Sequence, residues 1–229
     1  MAQTASAAER PLKIAVEGGQ VSALLIAPEE PRACYVLAHG AGVGMQHSFM
    51  ATVANGLAER RVASLRYNFP YMEQRRGRPD SPKVAQAAVR AAVDEASRAL
   101  PGLPLFAGGK SYGARMTSQT QAETPLANVR GLVFLGFPLH PPGQPSDDRA
   151  EHLAAVKIPM LFLQGTRDEF AERDYLNPLI KRLGARATLK PFDGGDHSFH
   201  VTAKSGRTDA GVMTELLDTM VAWMDGVIG

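Results

Sequence analysis

The sequence predicts an α/β fold: a mostly parallel sheet of about eight strands, opened by an N-terminal antiparallel hairpin and covered by helices on both faces. Three observations predict it. Short apolar runs of the kind that a strand buried on both faces needs recur from Ala33 onward. Between them lie stretches with apolar residues at helical spacing, the alternation that crossover connections of a parallel sheet require. Ahead of both, two strand-like segments are split by Gly18-Gly19, a pair suited to a tight hairpin turn.

In chain order, residues 1–10 read as a polar leader and residues 11–229 as one domain, since 229 residues at 45% hydrophobic are enough for one sizeable core. The hairpin pairs Leu12 to Val16 with Gln20 to Ile26. The parallel strands are expected at Ala33 to Ala38, Val62 to Tyr67, Leu103 to Ala107, Gly131 to Phe137, Met160 to Gln164 and Ala187 to Pro191. Phe49, Val53 and Leu57 form a helical stripe after the first of these. Ser81-Pro82 supplies an N-cap and a first-turn proline for the helix carrying Val89, Val93, Ala96 and Leu100. A further helix is expected over Ala114 to Ala122. Met213, Leu216, Leu217, Met220 and Met224 mark a last one, where the methionines read as core packing. The segments Phe69 to Pro79 and Pro138 to Pro145 read as surface loops.

Composition removes several function classes. With 25 Lys+Arg against 23 Asp+Glu, the formal charge is +2, too small a field to draw the chain onto nucleic acid. The lone Cys34, inside an apolar run, cannot form an internal disulfide and reads as a small buried hydrophobe. No signal-like or membrane-length apolar stretch occurs, so the expectation is a soluble, cytoplasmic protein without a membrane partner. Homo-oligomer formation is left open.

Chemistry concentrates at strand ends. Leu103 to Ala107 runs into Gly109-Lys110-Ser111-Tyr112-Gly113 and then a helix-compatible stretch, which is G-x-S-x-G in the setting that motif needs. Small residues on either side let a serine occupy a sharp strand-to-helix turn, so Ser111 is the candidate nucleophile. A serine hydroxyl needs a base to take its proton, and the base needs an acid to orient it. Asp168, after Met160 to Gln164, and His197, after the last strand, follow in the order Ser, Asp, His, each beyond a different parallel strand. Asp193 and Asp196 are rival acids but lie close enough to His197 to shape its turn instead. His200 with His197 lacks a third metal ligand, so no metal is expected. For the oxyanion, the backbone N–H of Tyr112 and that of Ala41, in the open loop His39-Gly40-Ala41-Gly42, are the candidate donors. His39 itself reads as the residue whose ring holds that loop.

Taken together, His39-Gly40-Ala41-Gly42, Gly109-Lys110-Ser111-Tyr112-Gly113, Gly165-Thr166-Arg167-Asp168 and Asp196-His197-Ser198-Phe199 give a chain that resembles the α/β-hydrolase superfamily, near its small, uncapped, dienelactone-hydrolase-like members. Arg66-Tyr67-Asn68-Phe69-Pro70, Gly108-Gly109-Lys110-Ser111 and Pro138-Leu139-His140-Pro141-Pro142 further resemble a subgroup that includes subunits of eukaryotic chromatin-regulating complexes. The resemblance implies a hydrolase scaffold with no cofactor. Serine at the nucleophile position points to a small-molecule ester or thioester substrate and an acyl-enzyme intermediate. The alternative is an inactive scaffold acting as an interaction protein. Only about twenty residues separate the strands ending at Phe137 and starting at Met160, too few for a folded cap domain.

Three further patterns have competing readings. Gly109-Lys110-Ser111 imitates a phosphate-binding loop, but Pro104 stands where that motif needs glycine. Gly40-Ala41-Gly42-Val43-Gly44 imitates a dinucleotide fingerprint, but Met45 replaces its third glycine. Arg75, Arg76 and Arg78 lie in a loop emerging at the same sheet edge as Ser111. They are candidate contacts for an anionic substrate, against the reading of a solvated loop.

Overall fold

The computed structural model describes residues 8–229, so the expected leader lies mostly outside the described residues; its end is corrected, because strand β1 (Glu9–Val16) already includes Glu9 and Arg10. The remaining strands are β2 (Gly19–Ile26), β3 (Ala33–Ala38), β4 (Val62–Tyr67), β5 (Leu105–Lys110), β6 (Val129–Leu135), β7 (Met160–Gly165) and β8 (Ala187–Phe192). They form one eight-stranded sheet in the order β1-β2-β4-β3-β5-β6-β7-β8. β2 runs antiparallel to both β1 and β4, and every other pairing is parallel.

The helices are α1 (Ser48–Ala58), α2 (Pro70–Glu73), α3 (Pro82–Ala99), α4 (Tyr112–Glu123), α5 (Arg173–Leu183) and α6 (Asp209–Ile228), with a 3₁₀ helix at Asp148–Ala155. Each sheet face has its own core. On one, Met50, Val53 and Leu57 of α1 meet Leu216, Leu217 and Met220 of α6 over Tyr35, Phe106 and Val133. On the other, Ala88, Val89 and Val93 of α3 and Met116 of α4 cover Val36, Leu65 and Phe134, with Leu153, Leu176 and Leu179 from the 3₁₀ helix and α5. Strand residues alternate between the two faces, as the period of two demands. No described helix is long and apolar enough to cross a membrane, and no cap domain is inserted between β6 and β7 among the described residues.

Four local features depart from the sequence reading. β5 runs through Gly108 and Gly109 instead of ending at Ala107. A Cβ on Gly108 would lie 1.8 Å from the Val133 carbonyl oxygen, and one on Gly109 2.2 Å from that of Ala38, so these glycines let the central strand sit close between its neighbours. The Phe69 to Pro79 segment contains α2 and buries Tyr71. Leu139 and His140 are buried rather than on a surface loop, with both N–H groups donating to the Phe170 carbonyl at 2.7 and 3.3 Å. Ser81 occupies the N-cap of α3, but its side chain makes no capping hydrogen bond.

Candidate active site

The chain leaves β3 toward β4 on one side and β5 lies on the other, so the sheet reverses its winding between β3 and β5. Loops beyond the carboxyl ends of strands diverge at such a point and leave a crevice. The loop after β3 and the turn after β5 meet there. Ser111, between β5 and α4, has φ 50° and ψ −109°, a backbone conformation costly for a residue with a side chain. Its N–H donates to the Leu135 carbonyl at 3.2 Å. The flanking glycines are required by space: a Cβ on Gly113 would fall 2.5 Å from the Ala38 carbonyl oxygen, as one on Gly109 would collide with the same atom. The turn is thus pressed against the end of β3.

Asp168 and His197 come together at the same edge. The Asp168 carboxylate is buried, and its Oδ2 lies 2.7 Å from His197 Nδ1. Its Oδ1 accepts from the Phe170 N–H at 2.8 Å, and Gln164 Nε2 donates to Oδ2. Gln164 Oε1 in turn accepts from the Phe137 N–H at 2.9 Å, so a buried amide joins the acid to the end of β6. The Phe170 ring lies on the imidazole with centroids 4.3 Å apart. The His197 ring lies against Gly136, where a Cβ would meet His197 Cε1 at 3.4 Å. Among the described residues, the Ser111 hydroxyl makes no hydrogen bond to the imidazole. The rival acids sit elsewhere. Asp196 Oδ1 accepts from the N–H groups of Ser198 and His200 at 2.7 and 2.9 Å, shaping the turn, and Asp193 faces Arg173 at 3.5 Å. His200 pairs with Asp209 at 2.7 Å.

The loop after β3 is built around His39. Its Nδ1 donates to the Gly40 carbonyl at 2.8 Å and its Nε2 accepts from the Phe69 N–H at 3.0 Å, a pairing that only the neutral ring can make. Burial pushes its pKa down to about 4, partly opposed by the Gly40 carbonyl, so the ring stays neutral. Tyr71 Oη accepts from the Gly42 N–H at 3.2 Å and holds the far side of the loop. The N–H groups of Ala41 and Tyr112 have no hydrogen-bond partner among the described residues.

Three residues that sequence reasoning had not assigned support this arrangement: Lys110, Gln164 and Phe170. Only Gln164 left a signal, as a polar residue near the end of an otherwise apolar strand. Lys110 Nζ donates to the His197 carbonyl at 2.6 Å and lies 6.0 and 5.9 Å from the ring centroids of Phe49 and Phe199. Of the arginine cluster, Arg76 bonds Asp80 at 2.5 Å, while Arg75 and Arg78 are exposed. Asp80 also accepts from the Tyr71 N–H at 2.8 Å, which ties Arg76 into the support of α2.

The sequence profile of the family described as alpha/beta hydrolase domain matches residues 31–225, from just before β3 into the last turn of α6. The chain belongs to this family. Solved structures share its fold across nearly their whole length. A lidless α/β serine hydrolase from Xanthomonas campestris is 19% identical, with a TM-score of 0.74 and 94% of each chain covered. A dienelactone hydrolase from Anabaena variabilis is 18% identical at a TM-score of 0.75, covering 97% of this chain and 99% of its own. Est1E from Butyrivibrio proteoclasticus is 16% identical at 0.67, covering 92% and 98%. In this α/β hydrolase, as in the Xanthomonas structure described as lidless, the crevice between β3 and β5 has no inserted domain above it among the described residues.

Proposed function

We propose that this α/β hydrolase cleaves carboxylic esters or thioesters by covalent catalysis, with Ser111 as nucleophile, His197 as base and Asp168 as orienting acid. The observation that carries the reading is the 2.7 Å Asp168–His197 bond at the same sheet edge as the strand-to-helix turn that holds Ser111 at φ 50°. Asp168 accepts from Nδ1–H, which leaves the Nε2 lone pair free for a proton. With substrate bound, Nε2 takes the Ser111 proton as Oγ bonds to the acyl carbon. The electron pair of the carbonyl moves to its oxygen, where the N–H groups of Ala41 and Tyr112 receive it. Collapse expels the alcohol or thiol, which leaves with the proton held on Nε2. Water then repeats the sequence: Nε2 takes its proton, the hydroxide attacks the acyl-enzyme, and Ser111 regains its proton as the acid departs. The lone cysteine, buried in β3, needs no oxidising compartment, and we place the reaction in the cytoplasm.

The test is turnover of p-nitrophenyl esters and acyl thioesters of graded chain length. Ser111→Ala and His197→Ala should each lower kcat by about a thousandfold or more, with circular dichroism unchanged. Wild-type levels in either variant would overturn the assignment. Failure of the wild type on every ester and thioester would favour a non-catalytic, interacting scaffold.

A further inference from the structure

The helix α4, which begins at the nucleophile, packs beside the 3₁₀ helix Asp148–Ala155, and one bond fixes their register: Ser118 Oγ lies 2.8 Å from His152 Nε2. One turn nearer the catalytic edge, each carries an arginine, Arg115 three residues before Ser118 and Arg149 three before His152. Residues three apart share a face of an α-helix and eclipse one another in a 3₁₀ helix. Arg115 and Arg149 therefore face the same seam. Asp148 and Glu151 form a different, exposed edge of the 3₁₀ helix, and Asp147 is taken by Arg182 at 2.7 Å.

Both arginines are only partly exposed, yet among the described residues neither guanidinium has an ion-pair or hydrogen-bond partner. Burial, and then the neighbouring Arg149, hold Arg115 below the usual arginine range. Burial, and then Arg115, push His152 down to about 4. The seam thus concentrates positive charge with no acid to balance it, an arrangement a bound anion stabilises. It is also close to the chemistry. Arg115 stands four residues from Ser111, about 6 Å along the helix axis, and its Cα–Cβ bond leans toward the helix N-terminus, the end that carries Ser111.

We propose that Arg115 and Arg149 form an oxyanion subsite that holds a carboxylate or phosphate carried by the substrate, making this an enzyme for anionic esters. The inference rests on the reading of Ser111 as the nucleophile. Two guanidinium forks suit a trigonal or tetrahedral oxyanion, and neither is already paired as Arg76 is with Asp80.

The experiment compares wild type with the Arg115→Met/Arg149→Met double variant on two substrates of similar size, the p-nitrophenyl half-ester of succinic acid and neutral p-nitrophenyl valerate. Calorimetry of succinate and inorganic phosphate binding runs in parallel and needs no turnover. The ratio of KM for the anionic ester to KM for the neutral one should rise about tenfold or more in the variant, and binding of the preferred anion should weaken by a similar factor. The tighter anion in wild type identifies carboxylate or phosphate as the group held. A single variant, Arg115→Lys, with an unaltered melting temperature should weaken that anion less than Arg115→Met does. Equal KM ratios and equal anion affinities in wild type and variant would overturn the subsite. If no ester turns over, the nucleophile reading fails, while the binding arm still decides the subsite.

Discussion

Lys110 Nζ lies 2.6 Å from the carbonyl oxygen of His197, so the residue before the candidate nucleophile clasps the loop that carries the candidate base. Lys110 ends strand β5 and His197 lies in the loop after β8, and these two strands are separated in the sheet by β6 and β7. The bond draws the ends of these elements together over Gly136, whose missing side chain leaves room: a Cβ there would lie 3.0 Å from Nζ. Lys110 is a positioning residue in this arrangement, since it acts on the reaction through the place of His197.

The clasp is sensitive to alkali. Burial pushes the Lys110 pKa down to about 8, against the fields of Asp168 and Asp196, which favour the ammonium. Below that value the charged donor holds the carbonyl; as pH rises through it, the proton is lost and the bond weakens to that of a neutral amine. The expected kcat/KM falls on an alkaline limb near pH 8 in wild type. Lys110→Met should lack the limb and start about tenfold lower at pH 7, and Lys110→Arg should move the limb to higher pH. Superimposable pH–rate profiles for the three proteins would show that Lys110 does not position His197.

Acid acts on the loop after β3. The folded pKa of His39 is about 4 against an ordinary value of 6.5, because burial disfavours the charged ring. The unfolded chain therefore binds the proton more tightly, and stability is lost as pH falls from about 6.5 toward 4, by roughly 3 kcal/mol over the whole interval. His39→Gln keeps an acceptor for the Phe69 N–H and cannot titrate. Urea unfolding at pH 7 and pH 4.5 should show a smaller acid loss for this variant than for wild type; equal losses would place the acid sensitivity elsewhere.

Gly113 tests the packing of the nucleophile turn. A methyl group there meets two backbone oxygens, Ala38 O at 2.5 Å and His39 O at 2.7 Å, which cannot swing aside as side chains do. Gly113→Ala should push α4 off the end of β3, costing about 3 kcal/mol and displacing the Tyr112 N–H. An equilibrium unfolding curve unchanged by the substitution would contradict this contact.

Gln164 is the buried link between Phe137 and Asp168. Gln164→Leu removes the acceptor of a buried N–H and one donor to the carboxylate, at a cost of about 1–3 kcal/mol. Gln164→Glu sets a second carboxyl against Asp168 and should lower kcat further than Leu does. The two variants are compared by urea unfolding and by kcat on one ester. An unaffected kcat in both would make Gln164 a purely structural residue.

Most of the sheet was legible because both core faces leave apolar runs; β3 and β4 fall at the residues their composition marks. The ends were less legible. β5 extends through two glycines that look like a turn until their distances to Val133 and Ala38 are known. The helix α5 had no clear mark, since its polar residues and internal Pro178 mask the buried stripe of Leu176, Leu179 and Leu183. At the site, Ser111, Asp168 and His197 could be singled out because each follows a strand in a motif. Lys110 could not: its contact with His197 spans 87 positions of chain, and nothing local in the sequence encodes it. The seam of Arg115 and Arg149 was hidden in the same way, because it joins two helices whose register only packing defines.

The most direct measurement is intact-mass spectrometry after treatment with a serine-reactive fluorophosphonate, since labelling requires an activated serine but no knowledge of the natural ester. Wild type should gain the mass of one adduct, mapped by peptide digestion to Ser111, and Ser111→Ala should gain none. No adduct on folded wild-type protein, or an adduct that persists in Ser111→Ala, would contradict Ser111 as the nucleophile.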